Sequence, residues 1–138
     1  MINKYKRTIA PFIKEDLLMY IENTGLESLV VDLRLLKEIM HKHDLFVDGQ
    51  WDYERITFDK KYVIKEGTYY LRVFGYTEDG DIGSGQAEIT LKKPALGKHY
   101  YPFGVEYGED EVFPENLVKD CEKTLQQVLE DLKPYVQA

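Results

Sequence analysis

Cysteine is all but missing from this 138-residue chain: Cys121 stands alone and cannot close an internal disulfide. Long apolar runs are missing too, none approaching the roughly 20 residues that a membrane-spanning helix needs. The amino end lacks the basic, apolar and small-residue succession of a secretory leader. Positive charge is in deficit, and a net charge of -7 argues against a protein that works by neutralising nucleic-acid phosphates. There is no phosphate loop, because "GDIGSG" at residues 80–85 precedes a strand pattern instead of a helix and has no lysine at the required place. Internal repeats and low-complexity segments are absent as well. Together these absences point to a reducing, cytoplasmic setting, with neither nucleic acid nor membrane as partner and no motif for a cofactor.

What is present is a single domain's worth of chain with 43% hydrophobic and 31% charged residues, the balance of an ordinary globular protein. Aromatics are the unusual component: eleven tyrosines and six phenylalanines. Charge is uneven along the chain. Residues 1–18 carry a local +2, against -9 for the remainder, which marks them as an extension to a domain spanning residues 19–138. Lys14-Glu15-Asp16 ahead of Met19 can be the translation of a ribosome-binding sequence, making Met19 the biological start. It can equally be the polar first turn of a helix over residues 11–21.

From Tyr20 to Val31 the pattern predicts short strands around Asn23-Thr24-Gly25. Asp32 is an N-cap candidate, and Leu33, Leu36, Ile39 and Met40 recur at helical spacing up to about His43. Three alternating stretches then predict strands. In the first, residues 50–64, Ile56, Phe58, Tyr62 and Ile64 share one face, and Trp51, Tyr53, Arg55, Thr57 and Asp59 the other. The second, residues 68–77, opposes Tyr69, Leu71 and Val73 to Tyr70, Arg72, Phe74 and Tyr76, after a turn at Lys65-Glu66-Gly67. The third opposes Ala87, Ile89 and Leu91 to Gln86, Glu88, Thr90 and Lys92, and Pro94 ends it. Phe113-Pro114-Glu115 opens a last helix whose stripe is Leu117, Cys121, Leu125, Val128 and Leu132, stopped at Lys133-Pro134. The predicted fold is α+β: an antiparallel meander sheet with two principal helices packed on one face.

If the helices cover the Ile56/Leu71/Ile89 face, the opposite face carries Trp51, Tyr53, Arg55, Tyr70, Arg72, Phe74 and Tyr76. A solvated sheet face is expected to be mostly polar, whereas aromatic and arginine-rich surface is the composition of interface cores. Four accounts compete. The aromatic segment "GKHYYPFGVEY" (97–107) folds over this face, a second copy packs there, a ligand sits between segment and sheet, or the helices cover the other side. The first two together, segment cover plus a homodimer, fit best, with Tyr100, Tyr101 and Phe103 largely buried.

Residues that invite a chemical reading are few. His41 and His43 are two apart and do not share a helical face, so they make no metal site. "GEDE" at 108–111 lacks the ligand spacing of a calcium loop. Cys121 lies on an apolar stripe, where a thiol packs as a small hydrophobe. His99 with Arg55 and Arg72 is the one set able to line a pocket for a small anionic ligand or for acid–base work. The candidate ligand or interface residues are Trp51, Tyr53, Arg55, Arg72, Tyr76, His99 and Tyr101. No catalytic residue and no metal ligand is assigned; a non-enzymatic binding or assembly module is favoured over a receptor or enzyme.

Four segments, "GQWDYERITFDKKY" (49–62), "TYYLRVFGY" (68–76), "LGKHYYPFGVEY" (96–107) and "FPENLVKDCEKTL" (113–125), occur in an order that resembles the YugN-like family of small proteins from low-GC Gram-positive bacteria. The resemblance runs from about Met19 to the carboxyl end. It implies a compact α+β domain, favours Met19 as its start, and brings no catalytic residues.

Overall fold

In the computed structural model, residues 17–49, 52–78, 81–99 and 113–136 are described. Seven strands, β1 (Leu17–Tyr20), β2 (Val30–Asp32), β3 (Phe46–Val47), β4 (Arg55–Ile64), β5 (Gly67–Tyr76), β6 (Glu88–Leu91) and β7 (Ala95–Lys98), form one antiparallel sheet. Two helices, α1 (Leu33–Lys42) and α2 (Glu115–Leu132), complete the α+β fold. Neither is long and apolar enough to cross a membrane.

The predicted meander is the centre of the sheet. β4 and β5 pair along their whole length, from Arg55↔Tyr76 to Ile64↔Gly67 around the turn at Lys65-Glu66. Gly67 takes φ +145°, a conformation that side-chain-bearing residues rarely adopt. Two strands, β3 and β7, were not predicted, and the short strands expected between Tyr20 and Val31 lie at the two ends of that stretch, as β1 and β2. β6 and β7 both pair with the same edge of β5, but from Gly75↔Leu91 to Arg72↔Ala95 the outer chain advances four residues while β5 retreats three. Pro94 therefore does end the third strand, yet the ladder resumes one residue out of register beyond a bulge at 92–94. The next lane repeats the device: β2 pairs with β6 and β1 with β7, end to end around the loop 21–29. Within that loop, Asn23, Gly25 and Ser28 have positive φ, which is why neither regular pattern continues through it.

β1 also bears on the amino-terminal segment. Residues 17–20 are strand, so the alternative helix over 11–21 is not continued at its carboxyl end, and the ladder begins two residues ahead of Met19. A second correction concerns residues 52–54. The strand expected from about residue 50 starts at Arg55, because Asp52 Oδ1 accepts the backbone N–H groups of Glu54 and Arg55 at 2.8 Å each. A side chain that bonds its own backbone in this way builds a turn in place of a ladder.

α1 follows its sequence signals closely. The Asp32 carboxylate accepts the Leu35 N–H at 3.2 Å, Leu33, Leu36, Ile39 and Met40 are buried, and His41 and Lys42 occupy the last turn, where the helix dipole favours positive charge. α2 buries Leu117, Val118, Cys121, Thr124, Leu125, Val128 and Leu132. Both helices face the same side of the sheet, where Ile56, Phe58, Tyr69, Leu71, Val73, Ile89 and Leu91 join them in one continuous core. Phe113, just ahead of α2, lies 5.8 Å from the Tyr69 ring. Gly75 completes this face for a steric reason: a Cβ there would collide with Cγ2 of Ile89. The expected burial of Tyr100, Tyr101 and Phe103 lies outside the described residues.

Candidate functional site

With the helices on the Ile56/Leu71/Ile89 side, the opposite face is ordered in rows by strand register. Arg55, Tyr76, Thr90 and Val30 are successive neighbours across four lanes. One row toward the carboxyl end of β5 stand Glu88 and Asp32, with Glu78 just past the strand. One row the other way come Thr57 and Phe74, next to Lys92, whose N–H donates to the Phe74 carbonyl at 2.9 Å. Beyond that lie Asp59, Arg72, Ala95 and Tyr20, and then Lys61, Tyr70, Gly97 and Leu18.

Three hollows mark this face, and Tyr76 is in the wall of each. The largest, about 890 Å³, is lined by Asp32, Glu78 and Glu88 together with Arg34, Val30 and Thr90. A second of about 420 Å³ lies among Tyr20, Phe74, Thr90, Lys92 and Lys93. The third, about 450 Å³, lies among Asp52, Arg55, Phe74 and Lys92. Phe74 and Tyr76 are half-buried, while Glu88, Lys92, Asp32 and Glu78 are exposed. The face thus has an aromatic centre with an acidic end on one side and, on the other, a mixed group in which Lys92 and Lys93 stand among Asp52, Glu27 and Glu22, the last paired with Lys93.

The predicted site residues are dispersed over the molecule. Arg55 and Tyr76 are direct cross-strand partners. The Arg55 guanidinium is held by Asp52 Oδ2, at 3.1 Å from Nε and 2.8 Å from Nη2. Backbone N–H groups and this guanidinium hold the Asp52 carboxyl below the usual aspartate value. Arg72 lies four residues along β5 from Tyr76, its Nε 3.3 Å from Asp59 and its guanidinium over the Tyr70 ring. His99 is at the far end, where its N–H donates to the Thr68 carbonyl and its ring meets Tyr70 edge-on at 6.3 Å. Eight residues of strand separate Thr68 from Tyr76, about 26 Å at the usual rise, so Arg55 and His99 do not meet. Tyr53 belongs to the turn ahead of β4 and not to the face: its carbonyl accepts from Ile82 N–H, and its ring lies over Gly83. Trp51 and Tyr101 lie outside the described residues.

Asp32, Arg34, Glu78, Glu88 and Lys92 line the hollows without having been singled out from the sequence. Alternation did put Glu88, Thr90 and Lys92 on one side of their strand. The clue that they share a wall with Tyr76 is the pairing of β6 with the last two residues of β5, which no single strand reveals.

Among the described residues no group of three or more metal-binding side chains occurs. His41 stacks on Phe46 at 5.2 Å, while Nε2 of His43 lies 2.7 Å from Oδ2 of Asp131. The two histidines therefore diverge, as their spacing required. Cys121 is fully buried, and burial pushes its thiol up to about 12. Across from it, the Tyr62 hydroxyl donates to Asp120 at 2.9 Å and is itself pushed well up, first by burial.

Against known proteins, a model of the YugN-like family matches residues 22–131, and the chain belongs to that family. It is 49% identical over 110 residues to the "Uncharacterized protein YlbA" of Bacillus subtilis strain 168, covering 80% of this chain and 92% of that protein. The crystal structure of the uncharacterized conserved protein YugN from Geobacillus kaustophilus HTA426 superimposes with a TM-score of 0.75 at 50% identity, over 83% of this chain and 95% of that one.

Proposed function

We propose that this member of the YugN-like family is a non-enzymatic binding and assembly module whose sheet face opposite α1 and α2 pairs with a second copy of the chain. One observation carries the reading: Phe74 and Tyr76, half-buried, occupy the centre of that face between the acidic group Asp32, Glu78 and Glu88 and a mixed-charge group in which Lys92 is exposed. An aromatic centre with a charged rim is the anatomy of an interface. A surface bearing both signs side by side can complement itself, as a two-fold pair requires. The module works in the cytoplasm, where a lone reduced thiol such as Cys121 is at home.

The rival, a receptor or enzyme holding a small anionic ligand near Arg55, Arg72 and His99, has less support. Both guanidiniums already face carboxylates, and Arg55 and His99 sit at opposite ends of β5. Sedimentation equilibrium over a wide concentration range tests the reading. The wild-type chain is expected at twice its 16.2 kDa, and Tyr76→Glu at the single mass with its fold retained. A wild-type monomer at every concentration overturns it. A small anion copurifying with that monomer in native mass spectrometry would establish the rival.

A further inference from the structure

Building on the dimer reading above, we infer that the two copies pack face to face about a two-fold axis lying across the strands, over the row Arg55–Tyr76–Thr90–Val30, so that Glu88 of each copy meets Lys92 of the other. Glu88, Thr90 and Lys92 are successive outward positions of one lane, two residues apart, and a strand returns to the same face at that period. Glu88 and Lys92 thus stand about 6–7 Å to either side of Thr90 along the strand, with opposite charge. Both are exposed, and neither has an ion-pair partner among the described residues. An axis over Thr90 reverses the strand direction and keeps each lane opposite itself. It brings every residue one row above the axis against the residue one row below.

The neighbouring lanes obey the same operation. The acidic row of Glu78, Glu88 and Asp32 comes to face the row of Phe74 and Lys92, beside Glu27 and Lys93, the latter already paired with Glu22, so that Lys92 carries the complementarity. Tyr76, whose ring is half-buried, meets its own copy at the axis. Other axes do worse. One running along the strands would set the acidic row against itself, at the cost of like charges brought together in a desolvated space. Arg55 also meets its own copy on the proposed axis, but its charge is already balanced by Asp52, and it lies exposed at the margin. Two packed sheets keep their strands within about 30° of each other, which this arrangement allows.

The two-fold makes a prediction that no single substitution can mimic. Glu88→Lys sets two lysines together twice per pair, and Lys92→Glu sets two acids together twice. Each variant alone is expected to dissociate at least about tenfold more readily than wild type. Mixed in equal amounts, with one variant labelled uniformly with nitrogen-15 to separate the masses, they are expected to recover near wild-type affinity as a heterodimer, seen by native mass spectrometry at the intermediate mass. Both positions are exposed, so at concentrations low enough for every protein to be monomeric, thermal melts of the separate variants should match wild type. A mixture that stays dissociated, or single variants that pair as well as wild type, overturns the arrangement. If wild type pairs and Tyr76→Glu abolishes pairing while the charge variants leave it untouched, only the axis is wrong. If wild type itself is monomeric, the dimer reading falls with it.

Discussion

The two faces of this sheet are written in the same two-residue alphabet and come to different ends. On the helix side, Ile56, Phe58, Leu71, Val73 and Ile89 are sealed to 2% exposure or less, and even Gly75 is spoken for, since Ile89 occupies the space its side chain would need. On the other side the same strands carry Arg55, Thr57, Asp59, Arg72, Phe74 and Tyr76, most of them half-buried, with charges paired across or along the strands. The difference shows that burial and pairing answer separate requirements. The helix side is closed by apolar volume, where density decides stability. The opposite side pairs Arg55 with Asp52 and Arg72 with Asp59, leaves Glu88 and Lys92 exposed, and keeps aromatic area partly open.

The sharpest way to break this contrast is to cut one residue from each face at adjacent positions of β4. Phe58→Ala empties a fully buried site and is expected to lower stability by about 3–5 kcal/mol, the usual cost of removing a core aromatic. Thr57→Ala, next along the same strand on the other face, should change stability by less than about 1 kcal/mol. Urea unfolding at equal protein concentration measures both. Comparable losses at the two positions would mean that the outer face is as much a core as the inner one.

The inner face was legible from the sequence because it needs only period and hydrophobicity. Ile56, Phe58, Leu71, Val73, Ile89 and Leu91, the helical stripe of α2, and Asp32 as the α1 cap all sit where spacing put them. The architecture around them was less legible, for identifiable reasons. β3 is two residues long, and β7 hides behind Pro94, because a bulge restarts a ladder that a proline has interrupted. The start of β4 was misplaced by about five residues since Asp52, an ordinary polar residue in an alternating pattern, spends its carboxylate on the backbone of Glu54 and Arg55. Arg55, Arg72 and His99 were grouped by chemistry alone, and the register of β4, β5 and β7 spreads them along the length of a strand. Tyr76 was among the residues named, but what surrounds it depends on long-range pairing that composition does not encode.

A smaller effect sharpens the description of the inner face from the helix side. Cys121 projects from α2 into the core, and burial raises its thiol to about 12. The folded state therefore favours the neutral thiol. This contribution is fully present below the ordinary thiol value of 9.0 and is lost as pH rises from there toward about 12, because the unfolded chain ionises first. At pH 8 a thiol reagent should modify native protein only at the rate at which α2 opens, orders of magnitude more slowly than in denaturant. Modification as fast as that of the unfolded chain would place Cys121 outside the core.

The smallest effect is expected at the rim of the helix layer, where α1 and α2 meet through charge instead of volume. Asp131 near the end of α2 lies 2.7 Å from His43 Nε2 and 3.3 Å from Lys42 Nζ, so one carboxylate joins the last turn of α1 to the last turn of α2. The hydrogen bond from His43, followed by Lys42, holds the Asp131 carboxyl below its usual value. A carboxylate depressed in the folded state stabilises the fold above its unfolded value and loses that contribution as pH falls through the folded one. The clasp should therefore be intact at neutral pH and release only as pH drops below 3.8, the ordinary aspartate value. Asp131→Asn keeps the shape and removes the charge. It should lower stability slightly at pH 7, in keeping with a solvent-facing pair, and leave wild type and variant converging in acid. Thermal melts at matched ionic strength from pH 3 to pH 7 measure the gap. A gap that stays constant down to pH 3 would show that Asp131 acts through shape and not through charge, and the two helices would then be joined by packing alone.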